Sequence, residues 1–224
     1  MRILVVAATA MEVGPLTKAF GASTPHDRLT RYVHRSRDID VLLTGVGMVA
    51  ASAWTSRALS ERTYDFALNA GICGSFDGAF LAGAVVNIVS DTIAELGAED
   101  GDGFLPFDAL ELPDDGLRGP KPSCVNARPP DNAALAALPA VSGVTVNTVH
   151  GNERSIAKVV ARYHPQVESM EGAGFMYACA ICDIPFAQIR AVSNMVERRN
   201  RSAWKIPEAI EALAPVVLRI LETA

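Results

Sequence analysis

Residues 167–196 read VESMEGAGFMYACAICDIPFAQIRAVSNMV and hold a helix entrance and a strand within one unit. Glu171 follows Met170, and the small residues Gly172, Ala173 and Gly174 come directly behind it. An apolar run then reaches Cys182 and breaks at Asp183 and Pro185, where proline cannot continue a helix. Residues 186–192 form a β-type run that ends in Ser193-Asn194, two short polar residues where a strand would stop. An acidic helix entrance and a polar strand exit can converge on one pocket. Taken alone, the stretch also reads as an ordinary αβ unit with polar ends.

The same alternation extends in both directions. Residues 2–8 are a continuous, branched apolar run, the pattern of a central parallel strand buried on both faces. Thr9 is a fair cap for a helix over 10–20 whose first turn carries Glu12. Residues 28–34 and 39–44 read as a strand pair around the turn Ser36-Arg37-Asp38. Gly45-Val46-Gly47 opens an Ala-rich helix over 49–59, and the strand over 66–70 exits into Gly71-Ile72-Cys73-Gly74-Ser75. Strands over 85–93 and 144–149, a helix over 156–163 and a final helix over 207–221, kinked at Pro215, complete the pattern. Between residues 97 and 130 periodicity gives way to Gly, Pro and acidic residues, as in a functional loop. Strands alternating with helices and no linker predict a single α/β domain over residues 1–224. Its architecture is three-layer α/β/α around a mixed, mostly parallel sheet.

Composition narrows the function. Half of the 224 residues are hydrophobic and 6% are aromatic, enough to build a core without staples. A net charge of −5 excludes a nucleic-acid or anionic-membrane partner, since both reward dense Lys/Arg patches. No apolar run approaches the ~18 residues of a membrane span. The start, MRILVVAATAME, reads as a first strand rather than a targeting segment, which predicts a cytoplasmic protein. Cys179 and Cys182 form a CxxC in mid-helix without a second pair, and read as buried small residues. No His/Cys cluster has ligand spacing, so neither a metal nor an organic cofactor is expected.

Three constellations can carry chemistry. TGVGMVA (44–50) matches G-x-G-x-x-A after a strand, yet the next strand begins with Asp65 and lacks an acidic ribose ligand at its end. The expected strand exits, 7–9, 45–47, 69–74 and 193–194, would gather along the carboxyl edge of the sheet, where small residues let a planar ligand approach. Glu12 and Glu171 each sit after a strand at a helix start, where a carboxylate is stabilised and can accept from hydroxyls or a water.

Five motifs in order, AMEV (10–13), TGVGMVAA (44–51), NAGICGSF (69–76), SMEG (169–172) and RAVSN (190–194), resemble the nucleoside phosphorylase and nucleosidase superfamily, and nearer still its methylthioadenosine/S-adenosylhomocysteine nucleosidases. The resemblance implies that Glu171, beside Met170, binds the ribose hydroxyls and stabilises an oxocarbenium-like sugar. It implies that Glu12 orients or deprotonates the attacking water, and that Arg190 lines the water side. It also places Ile72, Cys73, Gly74, Ser193, Val149 and His150 around the substrate. The partner is then a small purine nucleoside, and the assembly a homodimer or larger homo-oligomer.

Two departures refine this. Asn194 stands where adenine-cleaving members have an aspartate that protonates purine N7. An amide carries both a donor and an acceptor, so it suits O6 and N7–H of a 6-oxopurine, but it cannot protonate a leaving base. The loops where phosphorylases hold the anion with arginines read Ala7-Ala8-Thr9 and Ile72-Cys73-Gly74, so water is the expected nucleophile. The stretches 97–104 and 193–204 resemble the futalosine hydrolase branch, which implies hypoxanthine release and either an aryl pocket over Phe104 and Phe107 or a loop that only packs at a dimer interface, with Arg198, Arg199 or Arg201 either as aryl-carboxylate partners or as a solvated basic loop. The alternatives are a methylthioadenosine-type nucleosidase and an inosine-type phosphorylase.

Overall fold

The computed structural model describes residues 1–110 and 123–224. Strand β1 (Arg2–Ala7) leads into helix α1 (Ala10–Phe20), followed by β2 (Ser23–His26), β3 (Leu29–His34), β4 (Arg37–Leu43) and α2 (Met48–Glu61). Then come β5 (Phe66–Ser75), β6 (Val85–Ile93), β7 (Gly97–Asp100), β8 (Gly103–Pro106) and β9 (Ser123–Val125). The short α3 (Ala133–Ala136), β10 (Ala140–Thr145), α4 (Glu153–Tyr163), β11 (Val167–Ser169), α5 (Gly172–Ile181), β12 (Phe186–Met195) and α6 (Ile206–Thr223) complete the chain.

Ten strands form one mixed sheet in the order β11-β10-β6-β12-β5-β1-β4-β3-β2, with β9 pairing β6 off this path. Its centre, β4-β1-β5-β12, is parallel. β11 also pairs with the end of β5, antiparallel, so the sheet curls back on itself beside the site. Alternation along β1 sorts the two faces. Ile3, Val5 and Ala7 pack with Val13, Leu16 and Phe20 of α1 and Leu213, Val217 and Ile220 of α6. Leu4 and Val6 pack instead with Ala58 of α2 and with Phe175, Met176 and Cys179 of α5. This is the expected three-layer α/β/α sandwich. Burial pushes the Cys179 thiol well above its ordinary value, which fits a core residue rather than a redox one.

Several local expectations are corrected. The β3–β4 turn is Arg35-Ser36, both with positive φ (46° and 65°), so Arg37 and Asp38 belong to β4. Two positive-φ residues match the right-handed twist of a hairpin, which a turn at 36–38 would not. β10 spans Ala140–Thr145 rather than 144–149. The irregular 97–130 region contains the β7–β8 hairpin and β9, and its residues 111–122 lie outside the described part. The polar content of β7 hid its strand pattern because this hairpin forms a two-stranded sheet away from the main one.

The most consequential correction concerns β5 and β12. Neither stops where expected: β5 runs on through the glycine-rich Gly71–Ser75 and β12 through the polar Ser193-Asn194. The two extensions pair with each other, and that pairing supplies the backbone partners that polar side chains alone would not.

Candidate active site

A cavity opens where β5, β11 and β12 meet the first turns of α1 and α5. It is lined by Ala8, Thr9, Met11, Glu12, Val46, Ile72, Cys73, Gly74, Val149, His150, Glu168, Ser169, Met170, Glu171, Ser193, Asn194 and Trp204. Every residue expected around the sugar and the base lies on it except Arg190. That side chain is fully buried and does not itself line the cavity; its Nη1 lies 3.6 Å from Glu171 Oε2. The residues expected around an aryl group do not line it. Phe104 packs under the Arg162 guanidinium, 3.9 Å from ring centroid to Cζ, and Phe107 is partly exposed. Arg198, Arg199 and Arg201 are exposed on the chain that follows β12.

At one end sits Glu12. Thr9 caps α1, and Glu12, three residues on, reaches back in a capping box. The Thr9 N–H (2.9 Å) and hydroxyl (3.0 Å) donate to Glu12 Oε2, and the Ile72 N–H donates to Oε1 at 3.2 Å. Burial raises its carboxyl above the ordinary value, Arg190 pulls it down, and neighbouring Glu171 pushes it up again. A buried carboxylate with a raised pKa is a stronger base than a solvated one.

Glu171 is held from two sides. Its Oε1 accepts the Gly47 N–H at 3.1 Å, and its Oε2 lies 3.6 Å from Arg190 Nη1. The glycine pattern 45–47 therefore serves a carboxylate of this chain. Gly47 adopts φ +103°, a conformation that side chains resist, and so turns its N–H toward the cavity. Arg190 Nη1 makes no hydrogen bond, so the buried guanidinium faces the acidic pair as a charge rather than as a bonded partner. Gly71 provides the space: a Cβ there would lie 2.1 Å from Arg190 Nη1 and 2.8 Å from Glu12 Oε1.

At the other end, β12 carries a bulge. Val192 pairs with Cys73 and Asn194 with Gly74, so Ser193 is the extra residue. Asn194 Nδ2 donates to the Met195 carbonyl at 3.0 Å, which orients the amide. The Ser193 hydroxyl proton then goes to Asn194 Oδ1 at 2.7 Å, the shorter of its two contacts, the other being the Cys73 carbonyl at 3.1 Å. With those bonds made, Asn194 retains one N–H and one lone pair.

Beside it lies a pair that the sequence reading only half found. His150 was singled out, but Glu168 was not. The Glu168 carboxylate accepts the His150 backbone N–H at 2.9 Å and pairs with His150 Nδ1. No signal marked it: Glu168 sits between Val167 and Ser169 in a three-residue strand, too short to show a pattern, and a carboxylate there reads as exposed. Trp204 was also missed; the Lys205 N–H donates to the Ser193 carbonyl at 2.7 Å and brings Trp204 to the cavity. Arg199 stands 5.7 Å from the Trp204 ring. Among the described residues no group of three His/Cys/Asp/Glu could hold a metal ion, and no helix is long and apolar enough to cross a membrane.

Residues 2–222 match the family model described as Phosphorylase superfamily. A futalosine hydrolase of Streptomyces coelicolor is 36% identical, covering 97% of this chain and 94% of its own. A futalosine hydrolase of Acidothermus cellulolyticus is 34% identical, over 94% and 86% of the two chains. The native structure of futalosine hydrolase of Helicobacter pylori superposes with a TM-score of 0.84 at 14% identity, covering 100% and 98% of the two chains, and so shares the fold. The chain belongs to the phosphorylase superfamily and, within it, to the futalosine hydrolase family.

Proposed function

We propose that this protein hydrolyses the N-glycosidic bond of futalosine, releasing hypoxanthine and dehypoxanthine futalosine for menaquinone biosynthesis. The observation that carries the reading is the pair of ends of one cavity. Two buried glutamates over a buried arginine face an asparagine whose free donor and acceptor fit a 6-oxopurine. Family membership supports the same substrate class.

In this reading Glu171 binds the ribose hydroxyls, and its negative charge favours the sugar cation that develops as the C1′–N9 bond breaks. The bond's electron pair leaves with the base. Glu12 takes a proton from a water held near Thr9, and the hydroxide forms the new bond to C1′. Asn194, its amide held by the Met195 carbonyl and the Ser193 hydroxyl, donates to O6 and accepts from N7–H of the departing base, and an adenine in the same pose would set donor against donor and acceptor against acceptor. Asn194 has no proton to give, so the base takes its ring proton from the His150–Glu168 pair, the imidazole that lines the same end. Met170 and the backbone of 72–74 pack against the nucleoside. Met11, Val46 and Trp204 form the apolar wall for the 5′ substituent, with Arg199 beside Trp204 as the partner of its carboxylate.

No Arg or Lys is among the described residues that line the cavity, and Arg190 is already committed below it. This supports water over phosphate as the nucleophile. The same reading holds that the chain acts as one nucleosidase-type domain, in the cytoplasm, as a homodimer or larger homo-oligomer, with Phe104 and Phe107 reaching a site only across such an interface. Turnover of futalosine at equal rates with and without phosphate, with hypoxanthine as the free base, is the expected result. Phosphate-dependent turnover would overturn the hydrolase assignment.

A further inference from the structure

Beneath the cavity runs a chain of fully buried polar groups, none of which lines it: Thr145, Asp91, Gln188 and Arg190. The Ala173 N–H donates to Thr145 Oγ1 at 2.8 Å, so the Thr145 proton is free to go to Asp91 Oδ1, also at 2.8 Å. Asp91 Oδ2 accepts from Gln188 Nε2 at 3.0 Å, which leaves Gln188 Oε1 to accept from Arg190 Nε at 3.2 Å. Arg190 Nη2 donates to Asn69 Oδ1 at 2.5 Å, and Asn69 Nδ2 donates to the Val6 carbonyl at 2.9 Å. Arg190 Nη1 is what remains for Glu171 and Glu12.

We propose that Asp91 is a positioning residue: it fixes which way the Gln188 amide points, and thereby where Arg190 holds the two glutamates of the site. The proposal rests on the glycosidic-hydrolysis reading of that site.

A glutamine amide can occupy its space in two nearly isosteric orientations, and a polar neighbour must select one. An ionised carboxylate only accepts, so Asp91 forces Nε2 toward itself and Oε1 toward Arg190, which only donates. The Met176 sulfur, 3.2 Å from Nε2, is a weak acceptor and sides with the same orientation. The surroundings leave no slack. A Cβ on Gly172, next to Glu171, would sit 2.1 Å from Gln188 Oε1 and 2.2 Å from Asp91 Oδ2. Replacing Asp91 by asparagine reverses the chain. Thr145 still needs an acceptor and takes the new amide's oxygen, so the new NH₂ group faces Gln188. The glutamine must then flip and set its Nε2 against Arg190 Nε, donor against donor, between fully buried side chains.

The test compares the full-length wild type, Asp91→Asn, and the double variant Asp91→Asn/Gln188→Glu. In the double variant the new amide donates to one oxygen of the carboxylate introduced at position 188 while the other oxygen accepts from Arg190 Nε, which restores the polarity. Asp91→Asn is expected to lower kcat for hypoxanthine release about 100-fold, the scale of a misplaced catalytic group. The double variant is expected to recover most of that loss. Wild-type kcat in Asp91→Asn, or a double variant that is inactive or unfolded, overturns the proposal. Where Asp91→Asn fails to fold, a folded and active double variant supports it. A wild type that releases no base is a failure of the functional reading instead. The position of the Arg190 guanidinium in a structure of Asp91→Asn then tests Asp91 by itself: displacement supports the proposal and an unmoved guanidinium overturns it.

Discussion

In the proposed reading Glu12 and Asn194 divide the labour of the site, and each has its own test. Glu12→Gln keeps the shape but cannot take a proton, so kcat should fall about 10²- to 10⁴-fold with little change in affinity for hypoxanthine. The pH profile gives the sign. Glu12 works ionised, and burial raises its pKa, so kcat/KM should fall on acidification at a pH above the ordinary carboxylate range. An acid limb unchanged in Glu12→Gln would contradict this role. Asn194→Asp introduces an acid that can protonate purine N7. Adenine release from methylthioadenosine should rise and hypoxanthine release should fall, read as a ratio by chromatography of the free bases. Both residues were legible in the sequence because their motifs fix their types and neighbours. Glu168 was not, since nothing in a three-residue strand announces that its carboxylate turns inward toward His150.

At the level of elements, the sandwich could be read from alternation, but the strand ends at the site could not. Strand ends were inferred where glycines or polar residues began, at Gly71 and Ser193. The two strands instead extend each other, and the Ser193 bulge re-aims Asn194 without ending β12. A bulge is a register relation between two strands, so neither strand's sequence contains it. Alternation likewise gives the face that Arg190 takes, but not that its guanidinium is fully buried against Glu171. Gly71→Ala tests this packing. Its Cβ would clash with a guanidinium that has nowhere to go, so stability should drop by about 1–3 kcal/mol in denaturant unfolding, and kcat should fall as well. Full activity in Gly71→Ala would mean that Arg190 is not held where the structure puts it.

For the whole molecule, the site costs stability, and pH should reveal it. Burial pushes the Asp91 carboxyl up from 3.8 to about 6 against hydrogen bonds from Gln188 and Thr145 that pull it down. Between those values the native state holds more protons than the unfolded state. Asp91's stabilising contribution is therefore fully present below about 3.8 and is lost as pH rises through about 6. Thermal unfolding followed across this window should show that loss in the wild type and not in a folded Asp91→Asn variant, which has nothing to titrate at this position. Fold class and family were legible because they rest on periodicity and ordered motifs spread over most of the chain. The buried chain from Thr145 to Arg190 was not, because it joins residues from three separate strands. The central claim is that this cavity cleaves a 6-oxopurine nucleoside, and base identification tests it most directly. The protein is incubated with futalosine, inosine and methylthioadenosine, and the free base is identified by chromatography. The account predicts hypoxanthine from futalosine and no adenine; adenine as the sole released base would contradict it.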